Sequence, residues 1–568
     1  MIRSIGVLSR GVRPWWVLAC LGSLATAQGE IVQAEQKISE TAGRFGGVLD
    51  VGGGSDSDDG ADQFGRSVTS VGDLDGDGID ELAVAAPNDN DGGIDQGAVW
   101  ILFLNANGTV VSEQKISATQ GGFEGVLPEN DTFGMSLAGL GDLDGDGIGD
   151  LAVGAVDGNG VNRGAVWILF LNPDGTVASE QKISATAGGF GGVLDLYDFF
   201  GNSLAALGDL DGDGIGDLAV GAAGDDDGGG VSQSEQGAVW ILFLNSDGTV
   251  ASEQKISATA GGFEGDLDPK ERFGISLAAL DDVDGNGVRD LAVGAYYDGY
   301  GTDFQGAVWI LFLNRDGTVS FERKIREATG GFGGDLDSYD FFGGSLAALG
   351  DVDGDGIGDL AVGASGDDDG GTERGAVWIL FLNRDGTVSS EQKISATAGG
   401  FGGRLDFQDY FGHSVAVLES PRRRGLDLAV GAYKDDDGGR DQGAVWMLFL
   451  GRDATPPAIS GAPVVSVTDP KGSTPGETVF FSVSASDDID PAPSVVCTPP
   501  SGSFFPRGTT IVTCTATDAS GNQTAWSFPV VVQASVRAKT PLRRPRLPRS
   551  SVRRSQAPGK RGRERSIG

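Results

Sequence analysis

Residues 198–222 read DFFGNSLAALGDLDGDGIGDLAVGA. Two short apolar runs, 203–207 and 218–222, flank an acidic turn spaced by glycines. Residues 237–257 continue GAVWILFLNSDGTVASEQKIS, adding an apolar run at 238–244 and a more polar, alternating one at 253–257. Asp247-Gly248 between those two runs is a strong hairpin signal. The first two runs, here strands A and B, are small and apolar on both faces, which predicts burial. Strand C is the long apolar run. Strand D alternates and carries charge, which predicts an outer edge. No segment of the unit has a helical period.

The unit recurs. Gly-Ala-Val-Trp begins at 97, 164, 237, 306, 375 and 443. Phe-Gly, with an acid two residues before the Phe, begins at 64, 133, 200, 273, 342 and 411. Glu-Gln-Lys-Ile-Ser or a variant begins at 35, 113, 180, 253, 322 and 391. A four-stranded unit of this size repeated radially is a β-propeller blade. The first D strand, 35–39, precedes the first A strand, and the last C strand, 444–450, has no D strand behind it. The N-terminal strand is therefore expected to complete the last of six blades. That closure leaves no open edge. The expected fold is all-β, with a six-bladed propeller over 28–453.

The A–B turn carries acids at positions 1, 3, 5 and 9. The five copies are Asp73/Asp75/Asp77/Glu81, Asp142/Asp144/Asp146/Asp150, Asp209/Asp211/Asp213/Asp217, Asp282/Asp284/Asn286/Asp290 and Asp351/Asp353/Asp355/Asp359. Carboxylates at i, i+2 and i+4 converge only where the backbone curls tightly, which the intervening glycines permit. A hard cation offsets their repulsion. Ca²⁺, with six to eight oxygen ligands in flexible geometry, suits such a turn better than Mg²⁺. The expected cofactor is about five Ca²⁺, one per intact turn. The sixth copy reads Glu419-Ser-Pro421-Arg422-Arg423-Arg424-Gly-Leu-Asp427, with Pro421 and Arg423 at positions 3 and 5. Either an arginine replaces the cation there or the stretch is out of frame.

Phe-Gly, the DxDGDGxxD turn and Gly-Ala together resemble the FG-GAP repeats of integrin α-subunit propellers, over about 64–450. The resemblance implies Ca²⁺ on the acids named above, on the face opposite ligand binding. Integrin α propellers have seven blades, so a seven-bladed ring is the alternative. The opposite face, made by the B–C and D–A loops, carries Asp225-Asp226-Asp227, Asp367-Asp368-Asp369 and Asp435-Asp436-Asp437. It also carries Tyr197, Phe199, Tyr339, Phe341, Phe407 and Tyr410. The aspartate runs are further weak cation sites or solvated charge; the aromatics bind a ligand or pack under their loops. His413 stands where other repeats have Arg66, Met135, Asn202, Ile275 and Gly344, so it is no repeated catalytic element.

From 454 to 535 the Gly-Asp pattern gives way to Val, Thr, Ser and Pro. Alternating runs such as 478–483 and 510–515 predict strands of a β-sandwich. Cys497 and Cys514 are the cysteines left after cleavage of a leader and are expected to pair. Cys497-Thr-Pro-Pro and Val512-Thr-Cys514-Thr-Ala-Thr-Asp518 resemble the hyalin repeat, HYR, which implies an immunoglobulin-like fold and extracellular adhesion. Residues 1–27, with Arg3, Arg10, Arg13, a short apolar stretch and Ala25-Thr26-Ala27, read as a secretory signal. Residues 536–568 hold twelve Lys or Arg and few apolar groups, and read as a disordered basic tail.

The whole chain has 568 residues, 96 of them Gly, and a formal net charge of −40. This acidity argues against nucleic-acid binding, and no segment predicts a transmembrane helix in the mature chain. One His and three Cys leave no zinc cluster. An enzyme would have to work with carboxylates alone. The expected function is a non-enzymatic, secreted or cell-surface, calcium-binding adhesion protein with an extracellular protein or glycan ligand. The alternatives are a lectin-like carbohydrate-binding propeller and a carboxylate-based hydrolase or lyase.

Overall fold

The computed structural model describes residues 31–50, 61–156, 162–227, 235–299, 304–418, 426–451, 456–461, 465–469, 475–486, 493–517 and 523–534. They form two compact units, a large one through residue 457 and a smaller one built from 458–486, 494–516 and 524 onward.

The large unit is all-β. Among the described residues it holds six four-stranded antiparallel sheets of one order, A-B-C-D. In the third, Phe200–Gly208, Asp217–Ala222, Ala238–Leu244 and Val250–Ile256 lie side by side. The sixth joins Ser414–Leu418, Asp427–Ala432 and Ala444–Gly451 to Ile31–Ile38. Gln36 faces Met447 and Lys37 faces Trp446 in that last pairing. The N-terminal strand therefore serves as strand D for the C-terminal three, and it begins earlier than the sequence pattern predicts.

Every strand B and every described residue of each strand C is buried, because neighbouring sheets cover both faces. Six apolar layers result, each shared by two sheets. One joins the sheets containing Trp100 and Trp167. Others continue sheet to sheet, and the last joins Val445 and Met447 of the sixth sheet to Val68 and Leu82 of the first. Each layer centres on an aromatic trio. Phe190 meets Trp240 edge-on at 5.0 Å and Phe200 at 5.0 Å. The same trio recurs from Phe45, Phe64 and Trp100 to Phe401, Phe411 and Trp446.

Phe-Gly and Gly-Ala belong together because they touch across repeats. Gly237, at φ +90°, bridges Phe273 of the following repeat, whose N–H donates to the Gln236 carbonyl at 2.8 Å. A Cβ at Gly237 would lie 2.0 Å from the Phe273 carbonyl oxygen, so only glycine fits. Serine hydroxyls link the same repeats: Ser203 donates to Gly274 O at 2.6 Å, and Ser414 to Gly65 O at 2.8 Å.

In the smaller unit, Val465–Asp469, Gln523–Ala534, Gly508–Thr517 and Ser494–Thr498 form one sheet. The run expected to be a strand at 478–483 is instead split. Gly476–Thr478 pairs with Phe504–Pro506, and Val483–Ser486 pairs with Ala458–Gly461. The chain changes partners between them, around buried Val479. Cys497 and Cys514 form a disulfide.

Candidate functional site

Each acidic turn is tied by its own backbone. In the third repeat, Asp209 accepts from Gly212 N at 2.7 Å and Gly214 N at 3.0 Å. Asp211 accepts from Asp213 N, and Asp213 from Ile215 N. These bonds curl the turn, engaging both oxygens of Asp209 and one oxygen each of Asp211 and Asp213, while leaving the acids close together. Ligand oxygens from Asp73, Asp75 and Glu81 all come within 4.8 Å of one another. So do those of Asp209, Asp211 and Asp217, and of Asp282, Asp284 and Asp290. In the second turn the convergent set is Asp142, Asp144 and Asp146. Asp351, Asp353 and Asp355 repeat the same backbone bonds. Asn286 follows the pattern through Oδ1, which accepts from Val288 N.

The ninth-position acid behaves differently. It opens strand B and is buried. Asp217 accepts from Leu210 N at 2.9 Å and from Leu244 N at 3.2 Å, stapling the turn to strand C. Burial pushes these carboxyls up: Glu81 to about 8, Asp290 and Asp359 to about 7, Asp150 and Asp217 to about 6. Backbone hydrogen bonds partly oppose the rise in each case. A dense set of oxygen donors, with the ninth-position carboxyls lifted by burial and by the neighbouring aspartates, fits a hard divalent cation. Of the sixth turn, residues 419–425 lie outside the described residues, so Pro421 and Arg422–Arg424 are not placed.

The aspartate runs of the B–C loops answer to a cation that the protein supplies itself. Strand D contributes one lysine per repeat. Lys255 lies 2.7 Å from Asp225 and 3.0 Å from Asp227, and 5.7 Å over the Trp240 ring. Lys37 does the same for Asp435 and Asp437, over Trp446. Lys393 serves Asp367 and Asp369, over Trp378. The acid two residues before Phe-Gly is buried beside these groups: Asp62, Asp131, Asp198, Glu271, Asp340 and Asp409. Desolvation, then the neighbouring aspartates, raise Asp409 to about 7. Sequence reading missed this assembly. Its signal was present in the strict recurrence of that acid and of the strand-D lysine.

The loop aromatics divide. Tyr197, Tyr339 and Phe407 are exposed. Phe199, Phe341 and Tyr410 are half-buried, at positive φ, and line a cavity where the A strands of all six sheets begin. His413 lines it too.

The FG-GAP repeat family matches residues 64–102, 133–169, 200–242, 273–311 and 342–380, and the HYR domain family matches 452–532. The chain carries five FG-GAP repeats and a HYR domain. The five matches coincide with the five intact acidic turns. Integrin alpha-5 of Xenopus laevis is 37% identical over 168 residues, 29% of this chain and 15% of that protein. Integrin alpha-PS2 of Drosophila melanogaster is 35% identical over 238 residues, 40% of this chain and 15% of that protein. Phosphatidylinositol-glycan-specific phospholipase D of Rattus norvegicus is 31% identical over 233 residues, 41% of this chain and 26% of that protein. The chain thus spans about 15% of the integrin subunits it matches. Among the described residues, no helix is long and apolar enough to cross a membrane.

Proposed function

We propose that this is a secreted or cell-surface, non-enzymatic adhesion protein: a closed six-bladed FG-GAP propeller holding Ca²⁺, followed by an immunoglobulin-like HYR module. The observation that carries it is the convergence of carboxylates in the acidic turns of the FG-GAP repeats. Asp73, Asp75, Asp77 and Glu81, with their counterparts in the next four repeats, would hold one Ca²⁺ per turn. Bound cations neutralise the turns on one face, stiffen the A–B connections and leave the other face for ligand. The cyclic sharing of apolar layers favours six blades over seven. Every acid cluster recurs several-fold, as structural parts do, which favours a binding role over carboxylate catalysis.

The test is adhesion of the chain to arrays of extracellular-matrix proteins and glycans, in CaCl₂ and in EDTA. The expected result is Ca²⁺-dependent retention on one class of ligand. A folded, Ca²⁺-loaded protein that binds nothing on either array contradicts the adhesive reading.

A further inference from the structure

The cavity at the start of the A strands has a volume of about 500 Å³, within the range of small-molecule sites. Its wall is where the repeats stop being alike. Strand C reads Ala-Val-Trp-Ile-Leu-Phe-Leu in five of its six copies. The residue after Phe-Gly, by contrast, differs in every repeat: Arg66, Met135, Asn202, Ile275, Gly344 and His413. All six are half-buried and line the cavity. Six different side chains at equivalent positions around one hollow make an asymmetric wall, suited to an asymmetric occupant.

The wall's charge is opposite to the molecule's. The chain has 81 acidic residues, yet among the described residues lining the cavity there is no carboxylate and there are two arginines. Arg272 lies 5.2 Å over the Tyr297 ring, and Tyr296 stacks on Tyr297 at 4.1 Å, with Phe341 against both. One Arg272 amino group meets Glu235 at 3.1 Å and the other the Tyr296 hydroxyl at 3.5 Å, while its buried Nε has no hydrogen-bond partner among the described residues. Arg66 lies 4.8 Å over Tyr433, beside His413. Serines from successive repeats line the same wall. Their hydroxyls donate to glycine carbonyls, as Ser276 does to Gly343 at 2.7 Å, and keep lone pairs that can accept.

An occupant suited to this wall needs an anion for a guanidinium, a ring face for the aromatic cluster and hydroxyl donors for the seryl oxygens. We propose that the cavity binds a small acidic sugar of the uronic-acid class, its carboxylate at Arg272 and its ring on the Tyr296–Phe341 cluster. Arg66 adds positive potential from another part of the wall. The proposal rests on the ligand-binding reading above and names the class of ligand for one site within it.

The test is calorimetric titration of the full chain in CaCl₂ with D-glucuronate, D-glucose and benzoate. Glucuronate should bind, and both controls should bind at least roughly tenfold more weakly, since each lacks one of the required features. Arg272→Gln should weaken glucuronate by roughly tenfold or more. Ile275→Trp, which narrows the hollow while leaving both arginines in the sequence, should abolish binding. Both variants are first checked for unchanged melting. No glucuronate binding at millimolar concentration, equal binding of glucose or benzoate, or full affinity in Ile275→Trp overturns the proposal. Array adhesion separates the two readings. Adhesion without glucuronate binding overturns the cavity assignment alone, whereas a folded, Ca²⁺-loaded chain that does neither overturns both.

Discussion

Five repeats carry Asp two residues before Phe-Gly, and the fourth carries Glu271. The extra methylene matters. Glu271 reaches both Lys324 at 2.7 Å and the Trp309 indole N–H at 3.3 Å. In the other repeats Trp100, Trp167, Trp240, Trp378 and Trp446 find no partner for that N–H among the described residues. Asp340→Glu should therefore supply a hydrogen bond to Trp378 and stabilise the protein by about 1 kcal/mol in denaturant unfolding. A loss of stability would show that the pocket has no room for the longer acid. Removing the cation instead should be costly. Lys255→Met leaves Asp225 and Asp227 without their lysine and should destabilise by about 3–5 kcal/mol at pH 8. Burial raises Asp225, and raises Asp198 beside it to about 6. Below about 6 Asp198 becomes neutral, which removes one of the negative charges around the missing lysine, so the loss should shrink near pH 5. A defect independent of pH would mean that lost packing, and not charge, is responsible.

At the scale of elements, the strands and the acidic turns were legible because their signals are local. Asp247-Gly248 marks its own hairpin, and Asp209 to Asp217 close their turn within nine residues. Partners far apart in the chain were not legible. Lys37 and Asp435 are separated by 398 residues, and nothing in either segment alone announces the pair. The cavity wall likewise gathers residues from six repeats. The strand expected at 478–483 failed for a related reason: its two ends pair with different distant segments. The displaced strand Ile31–Ile38 was legible only by counting, since the last C strand lacked a D strand. Deleting 31–38 should expose the edge of Ala444–Gly451 and remove Lys37 from Asp435. The expected outcome is aggregation or loss of cooperative unfolding, read by light scattering and melting. A deletion variant that stays monomeric with unchanged melting contradicts closure by this strand.

For the whole molecule, the central tension is a formal net charge of −40 with carboxylates gathered in repeated turns. Without cations, the raised carboxyls at the ninth position keep protons that the unfolded chain gives up. The stability they contribute is fully present below about pH 4 and is lost as the pH rises through about 6 to 8. In EDTA the protein should therefore melt at a higher temperature near pH 5 than near pH 8. Saturating Ca²⁺ should narrow or reverse that difference, because the cation binds the ionised acids and stabilises the folded state by mass action. An identical pH profile with and without Ca²⁺ would disconnect these acids from the metal. The most direct measurement is a calorimetric Ca²⁺ titration of the whole chain at neutral pH, repeated on Asp211→Ala. The account predicts about five sites, one for each intact turn, release of protons on binding, and the loss of a single site in the variant. No Ca²⁺ uptake at millimolar concentration, or a variant that binds as many ions as the parent, would contradict it.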